Sequence, residues 1–281
     1  MSGSQRFVRY TLKDPAMLFG LLIVVGLVTM AVLAPLLAPY GANERALSDI
    51  LQVPGAAHVF GTDIQGRDIF SRIIYGSQVS LGVAFPAVLL AVLVGVPIGL
   101  VSGYSGGWVD LVAMRVFDIL FAFPTLLLAV TIVAVMGASL TNLIITIAIL
   151  YIPRMAVVAR APTLSVKTRD FVAAARVAGA KDGRIVLRHV LPNVLAPILV
   201  EASLLLSVAL LTESALSFLG LGAQPPTPSW GADLGRGRQY MLLGPWQVVF
   251  PGLVIMVAVL GFNLLGDALR DYFDPRIRKL L

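Results

Sequence analysis

Residues 78–101 read QVSLGVAFPAVLLAVLVGVPIGLV, and no charged residue occurs anywhere between Arg72 and Asp110. A helix crosses the roughly 30 Å hydrocarbon core of a bilayer with about 20 mostly apolar residues, so this stretch predicts a transmembrane helix. The same signature recurs on both sides of it. No charge lies between Asp14 and Glu44, which predicts a first helix over 16–37, ended by Pro35 and Pro39 and preceded by Arg6, Arg9 and Lys13. Its apolar run is longer than that of a signal peptide and no small-residue cleavage site is evident, so a retained anchor is expected. The uncharged run from Ile119 to Pro153 is too long for one span. Gly137-Ala138-Ser139 divides it into a third helix over 111–136 and a fourth over 140–158. Two further spans are expected over 194–219 and 246–269. Backbone polar groups must pair internally in lipid, and the alternating segments of a barrel are absent. The expected fold is therefore all-α, a single six-helix membrane domain over 16–269 between an N-terminal segment 1–15 and a tail 270–281.

Composition agrees. Of 281 residues, 58% are hydrophobic and 13% charged, with a mean hydropathy of +0.91. Soluble domains carry about 25% charged residues, so this chain cannot cover a water-facing surface. The absence of cysteine excludes a disulfide framework, a thiolate metal site and a thiol nucleophile. A net charge of +6 does not argue for nucleic acid here, because basic residues hold membrane-protein loops in the cytoplasm. With six spans and the N-terminus inside, only Arg45, Arg67, Arg72, Arg236 and Arg238 of the 21 Lys and Arg fall outside. Arg154 is counted with the inner loop. Both termini and the loop over 160–192 are expected to be cytoplasmic.

That loop carries the most regular extramembrane stretch, Asp170-Phe171-Val172-Ala173-Ala174-Ala175-Arg176-Val177-Ala178-Gly179. Alanine favours helix and Gly179 is a natural stop. Phe171, Ala174/Ala175 and Ala178 share a face at helical spacing. Such a small-residue face fits a groove on another protein or the inner ends of the chain's own helices. Residues 170–193 resemble the "EAA" loop of permease subunits of bacterial ATP-binding-cassette importers: Ala174-Ala175, Gly179 and His189-Val190-Leu191-Pro192-Asn193 match, while Ala173 replaces the usual glutamate.

The resemblance extends along the chain. Phe60-Gly61-Thr62-Asp63-Ile64-Gln65-Gly66-Arg67-Asp68-Ile69-Phe70-Ser71-Arg72 is similar to the outer segment of the dipeptide/oligopeptide/nickel branch. Four more stretches match it in order: Gly106–Asp110, Leu216–Gly222, Pro226–Gly231 and Leu269–Arg276. They are typical of the second, C-type permease of the pair. The resemblance implies a type I importer permease fold with a cytoplasmic coupling helix, forming half of a peptide pathway in a bacterial inner membrane. It implies four kinds of partner: a homologous second permease, one or two ATPases, an extracytoplasmic substrate-binding protein and the lipid itself. ATP and Mg would sit on the ATPase, with no cofactor in this chain. Phe171, Ala174, Ala175, Arg176, Gly179, Ala180, His189 and Pro192 would contact that ATPase. Nickel complexes, glutathione and other small solutes are alternative cargoes.

Several polar residues admit two readings. Gly61-Thr62-Asp63 and Gly66-Arg67-Asp68 form either a capped, salt-bridged entry to the second helix or a contact for the binding protein. Trp230 and Trp246 are interfacial anchors or gate elements. Glu213 is placed near the outer end of the fifth helix, facing the pathway, with Glu201 nearer the inner end. Asp118 is expected to pair with Arg115, and Asn142 and Asn263 to bond between helices. A secondary transporter or channel would show inverted repeats around a midplane ion site, and none is found. An intramembrane enzyme lacks material. His58 and His189 are the only histidines and fall in loops on opposite sides, and no metal-spaced cluster, nucleophile motif or P-loop occurs.

Overall fold

In the computed structural model, which describes residue 11 and residues 14–273, the apolar runs become helices. Asp14 accepts from the amides of Ala16 and Met17 and starts α1 (Pro15–Val32), followed by the short α2 (Ala34–Leu37). Next come α3 (Ile69–Ser105), α4 (Gly107–Phe121), α5 (Thr125–Met136) and α6 (Leu140–Val166). The second half holds α7 (Asp170–Val177), α8 (Asp182–Ile185), a π-helical turn Val186–Val190, α9 (Leu191–Phe218), α10 (Trp230–Gly237) and α11 (Trp246–Phe273). Arg6, Arg9, Lys13, Arg276, Arg278 and Lys279 lie outside the described residues.

Close glycine contacts set the direction of the helices. A Cβ on Gly95 would lie 2.6 Å from the carbonyl oxygen of Ile152, one on Gly99 would collide with that of Ala156, and one on Gly103 would reach that of Arg160 at 3.0 Å. The contact advances in the same sense along both chains, so α3 and α6 run parallel, backbone against backbone. This small-residue seam is a membrane packing device. It also decides the number of crossings. Five helices are long and apolar enough to cross a membrane, with α4 and α5 counting as a sixth only if their bent pair is one span. Parallel neighbours require the chain between Ser105 and Leu140 to return to the other end, and α4 with α5 is that return.

The remaining helices fit the same alternation. Gly20 meets the backbone of Leu265, and Gly261 meets Ile23, pairing α1 antiparallel with α11. Ser207 donates to Asn263 at 2.7 Å between α9 and α11. Met17 and Ala268 pack together, so both ends of the described chain lie at the end that carries α7.

Several expected boundaries are corrected. The third span is two helices bent by 91°, because the Ala122-Phe123-Pro124 break interrupts it and proline cannot donate to the preceding turn. The second span starts at Ile69, since Arg72 is neutralised inside the protein and does not end the helix. The fourth continues beyond the expected residue 158 to Val166, past Pro162. The fifth is one continuous helix from Asp182 to Phe218. His189 therefore lies in a helical π turn, and Pro192 in the first turn of α9. In the π turn Leu191 donates to Val186, a wider register just before the proline that has no donor.

Candidate functional site

The segment expected to meet the ATPase is built by α7 and its stop. Gly179 has φ +79°. The Ala180 amide donates to the Ala175 carbonyl at 3.1 Å and the Gly179 amide to that of Arg176 at 3.0 Å, the paired bonds of a Schellman terminator. Val172 is fully buried and Ala175 packs against the core. Phe171, Ala174 and Ala178 are exposed. The face expected to be shared by Ala174 and Ala175 is thus split: Ala175 looks into this chain, and Phe171, Ala174 and Ala178 look out, beside Val177 at 91% exposure. The exposed row is small and apolar except for one ring.

Behind α7 stands a residue that the sequence reading did not single out, Tyr104, at the end of α3. Its hydroxyl accepts from the Arg176 guanidinium at 3.0 Å and donates to the Asp182 carboxylate at 2.7 Å. Its ring lies 5.8 Å below the guanidinium. The Tyr104 hydroxyl holds the Arg176 guanidinium above its usual value by hydrogen bonding. Arg176 is therefore engaged within this chain, binding α7 to α3 and α8. The Lys167 ammonium adds a bond to the Gly103 carbonyl at 2.7 Å. Arg160 pairs with Asp110 across α6 and α4. His189 is half-buried, its carbonyl accepting from Asn193, and Pro192 is exposed.

At the opposite end, residues 38–68 fold into a cap. Asp68 accepts from the Ser71 amide at 2.7 Å, capping α3, and from His58 Nδ1 at 2.9 Å. The Asp63 carboxylate binds Arg67 at 2.5 Å. Asp63, Arg67 and Asp68 are all buried, which is the capped, salt-bridged arrangement. It corrects their placement as a binding-protein contact, because Asp63 and Arg67 neutralise each other and Asp68 is turned onto His58 and the Ser71 amide. Arg72 reaches Asp233 at 2.5 Å, and Arg236 shares the same oxygen at 2.7 Å. Burial pulls the Arg236 guanidinium below its usual value, against the adjacent Asp233.

Two expected pathway residues are likewise enclosed. Trp230 is fully buried and its indole N–H donates to the Ile73 carbonyl at 2.9 Å, so it is neither an interfacial anchor nor on the pathway surface. Glu213 is fully buried and accepts from Ser217 at 2.7 Å and from Ser214 at 3.3 Å. Serine hydroxyls from the next residue and the next turn give the carboxylate its partners inside the bundle. Trp246 donates to the Thr62 carbonyl at 3.0 Å and ties the cap to α11. Arg115 and Asp118 pair at 3.5 Å on an exposed face, and Asn142 bonds the last carbonyls of α5. No group of three or more His, Cys, Asp or Glu that could hold a metal occurs among the described residues.

The chain, with α7 exposed at one end of its parallel-seamed spans and a folded cap at the other, is similar to known proteins. The family described as binding-protein-dependent transport system inner membrane component matches residues 95–279, and the N-terminal TM domain of oligopeptide transport permease C matches residues 2–54. The chain belongs to the binding-protein-dependent transport permeases. Among its relatives, the dipeptide transport system permease protein DppC of Alkalihalophilus pseudofirmus is 47% identical over 95% of this chain and 88% of that one. The glutathione transport system permease protein GsiD of Pectobacterium atrosepticum is 43% identical over 98% of this chain and 90% of that one. A chain of the MetNI methionine ABC transporter, 18% identical, shares the fold with a TM-score of 0.57 over 74% of this chain and 95% of its own. The permease is thus a multi-pass subunit of the C type in the dipeptide/oligopeptide branch, with the type I importer fold.

Proposed function

We propose that this permease forms half of the translocation pathway of an ATP-driven peptide importer in a bacterial inner membrane. The observation that carries the coupling role is the outward row Phe171, Ala174 and Ala178 on a helix stopped by Gly179. A row of small side chains lets another surface approach the α7 backbone closely, and Phe171 supplies a ring to bury. Ala175 turns the inner side of that helix onto the core and the Ala180 amide closes its last turn, while His189 and Pro192 would meet the ATPase from the start of the next span. In this reading α7 and both chain ends are cytoplasmic, and one or two ATPases bind there, carrying ATP and Mg. A homologous second permease supplies the other half of the pathway. The substrate-binding protein would meet the cap as a folded surface, with Asp63, Arg67 and Asp68 holding its shape. The likeness to dipeptide permeases supports peptide cargo, and the likeness to glutathione permeases supports glutathione, itself a tripeptide, as a second reading.

Binding of ATP by the partner must favour one conformation through contacts that differ between states. The bonds from Tyr104 to Arg176 and Asp182 are candidates for those contacts. The test is reconstitution of the permease with its homologous partner, ATPases and binding protein in liposomes. ATP-dependent uptake of a labelled dipeptide is expected. Uptake of the same peptide by this chain alone, without nucleotide, would overturn the proposal.

A further inference from the structure

Arg154 stands about halfway along α6, between the cap end and the Arg160–Asp110 pair. A guanidinium at that depth is costly in lipid and marks a functional candidate. Its Nε donates to Glu201 of α9, whose side chain is 13% exposed, while that of Arg154 is 43% exposed. The two terminal guanidinium nitrogens make no further hydrogen bond among the described residues. The open side of Arg154 therefore faces water or protein.

A second feature looks into the same place. Residues 122–124, between α4 and α5, are irregular and exposed, with Phe123 54% exposed. Irregular backbone at membrane depth is tolerated only where it is covered by protein or lines a water-filled space. Phe121 and Thr125, the residues on either side of the break, line one cavity of about 190 Å³ together with Leu128, and Tyr151 and Arg154 form its other wall. A half-exposed guanidinium in its wall and an irregular break at its edge thus both turn this cavity away from lipid.

We infer that this cavity is a cargo-contact site, in which Arg154 meets a carboxylate of the passing solute. For a peptide, which is the cargo proposed above and on which this inference rests, that group is the C-terminal carboxylate, present whatever the side chains. Guanidinium N–H groups suit a planar carboxylate. Glu201 takes one N–H and leaves the outer two for cargo. It also offsets part of the positive charge, which suits a pathway that must release what it binds.

The test compares uptake of a labelled dipeptide with uptake of its C-terminal amide, using the whole reconstituted complex. The same binding protein is present in every assay, so its own preference cancels between variants. Arg154→Gln is expected to lower the acid-to-amide uptake ratio about tenfold, the loss of one charge-assisted bond. Arg154→Lys should retain most of the preference, and Glu201→Gln should raise the ratio above wild type. If Arg154→Gln lowers both uptakes equally, Arg154 serves packing or an acidic residue of the partner permease, and the inference is wrong. If that variant does not assemble, Glu201→Gln decides, and an unchanged ratio overturns the site. Failure of the wild-type complex to import either peptide overturns the peptide reading itself, and the site with it.

Discussion

Gly179 shows what one residue can decide. Nothing lies within 4 Å of where its Cβ would be, so Gly179→Val meets no clash inside this chain. Its cost is backbone strain at φ +79°, about 1–2 kcal/mol. The variant is expected to insert normally but to lose ATPase association or substrate-stimulated turnover. The measurement is ATPase co-purified per permease, and wild-type values in both assays would remove α7 as the docking element. Tyr104→Phe asks a different question, since it keeps the ring and deletes both hydroxyl bonds. Basal hydrolysis should persist while its stimulation by cargo falls, and Arg176→Ala should add little to the double variant. Independent, additive losses would show that the two side chains do not act as one link. The helix stop and the spacing of Phe171, Ala174 and Ala178 were legible in sequence because they are local. Tyr104 was not, because its partners lie 72 and 78 residues away.

Among the elements, the pairing of α3 with α6 dominates. Gly99→Leu would press a side chain into the Ala156 backbone, and overpacking of this kind costs roughly 1–3 kcal/mol. Gly82, on the same helix, has open space around it. Gly99→Leu should therefore lower the thermal midpoint of the purified complex, while Gly82→Leu should leave it nearly unchanged. Equal effects would mean that the seam is not a packing constraint. Hydropathy revealed where apolar helices are but not how they end. It began the second helix after Arg72 and counted Arg154 with the inner loop because it could not see Asp233 and Glu201 waiting to pair with them. It also passed over the α4–α5 bend, since a 91° turn at Pro124 leaves apolarity unchanged. The fifth helix was expected only from residue 194, whereas the π turn before Pro192 lets it begin at Asp182.

For the whole molecule, the proposed orientation makes Lys181 cytoplasmic and Gln224 external, and both are exposed. In this cysteine-free chain, Lys181→Cys and Gln224→Cys should react with a membrane-impermeant thiol reagent from opposite sides. Reaction of both from outside would refute the six-crossing arrangement. The excess of basic residues at one end is what argues for this orientation, and Arg154, counted with that end, lies instead halfway along α6. The cap was only half readable: its turns and charges were evident, but not that Asp63, Arg67 and Asp68 would face inward. The glycine seam has a mechanical consequence. Helices in backbone contact at Gly95, Gly99 and Gly103 cannot rotate about their own axes independently, so α3 and α6 form a two-rail beam. The α7 attachment sits at its tip. A push of one helical turn there, about 5.4 Å, would tilt a beam of roughly 40 Å by about 8°. Such a stroke could open one end of the pathway and narrow the other without any helix unwinding.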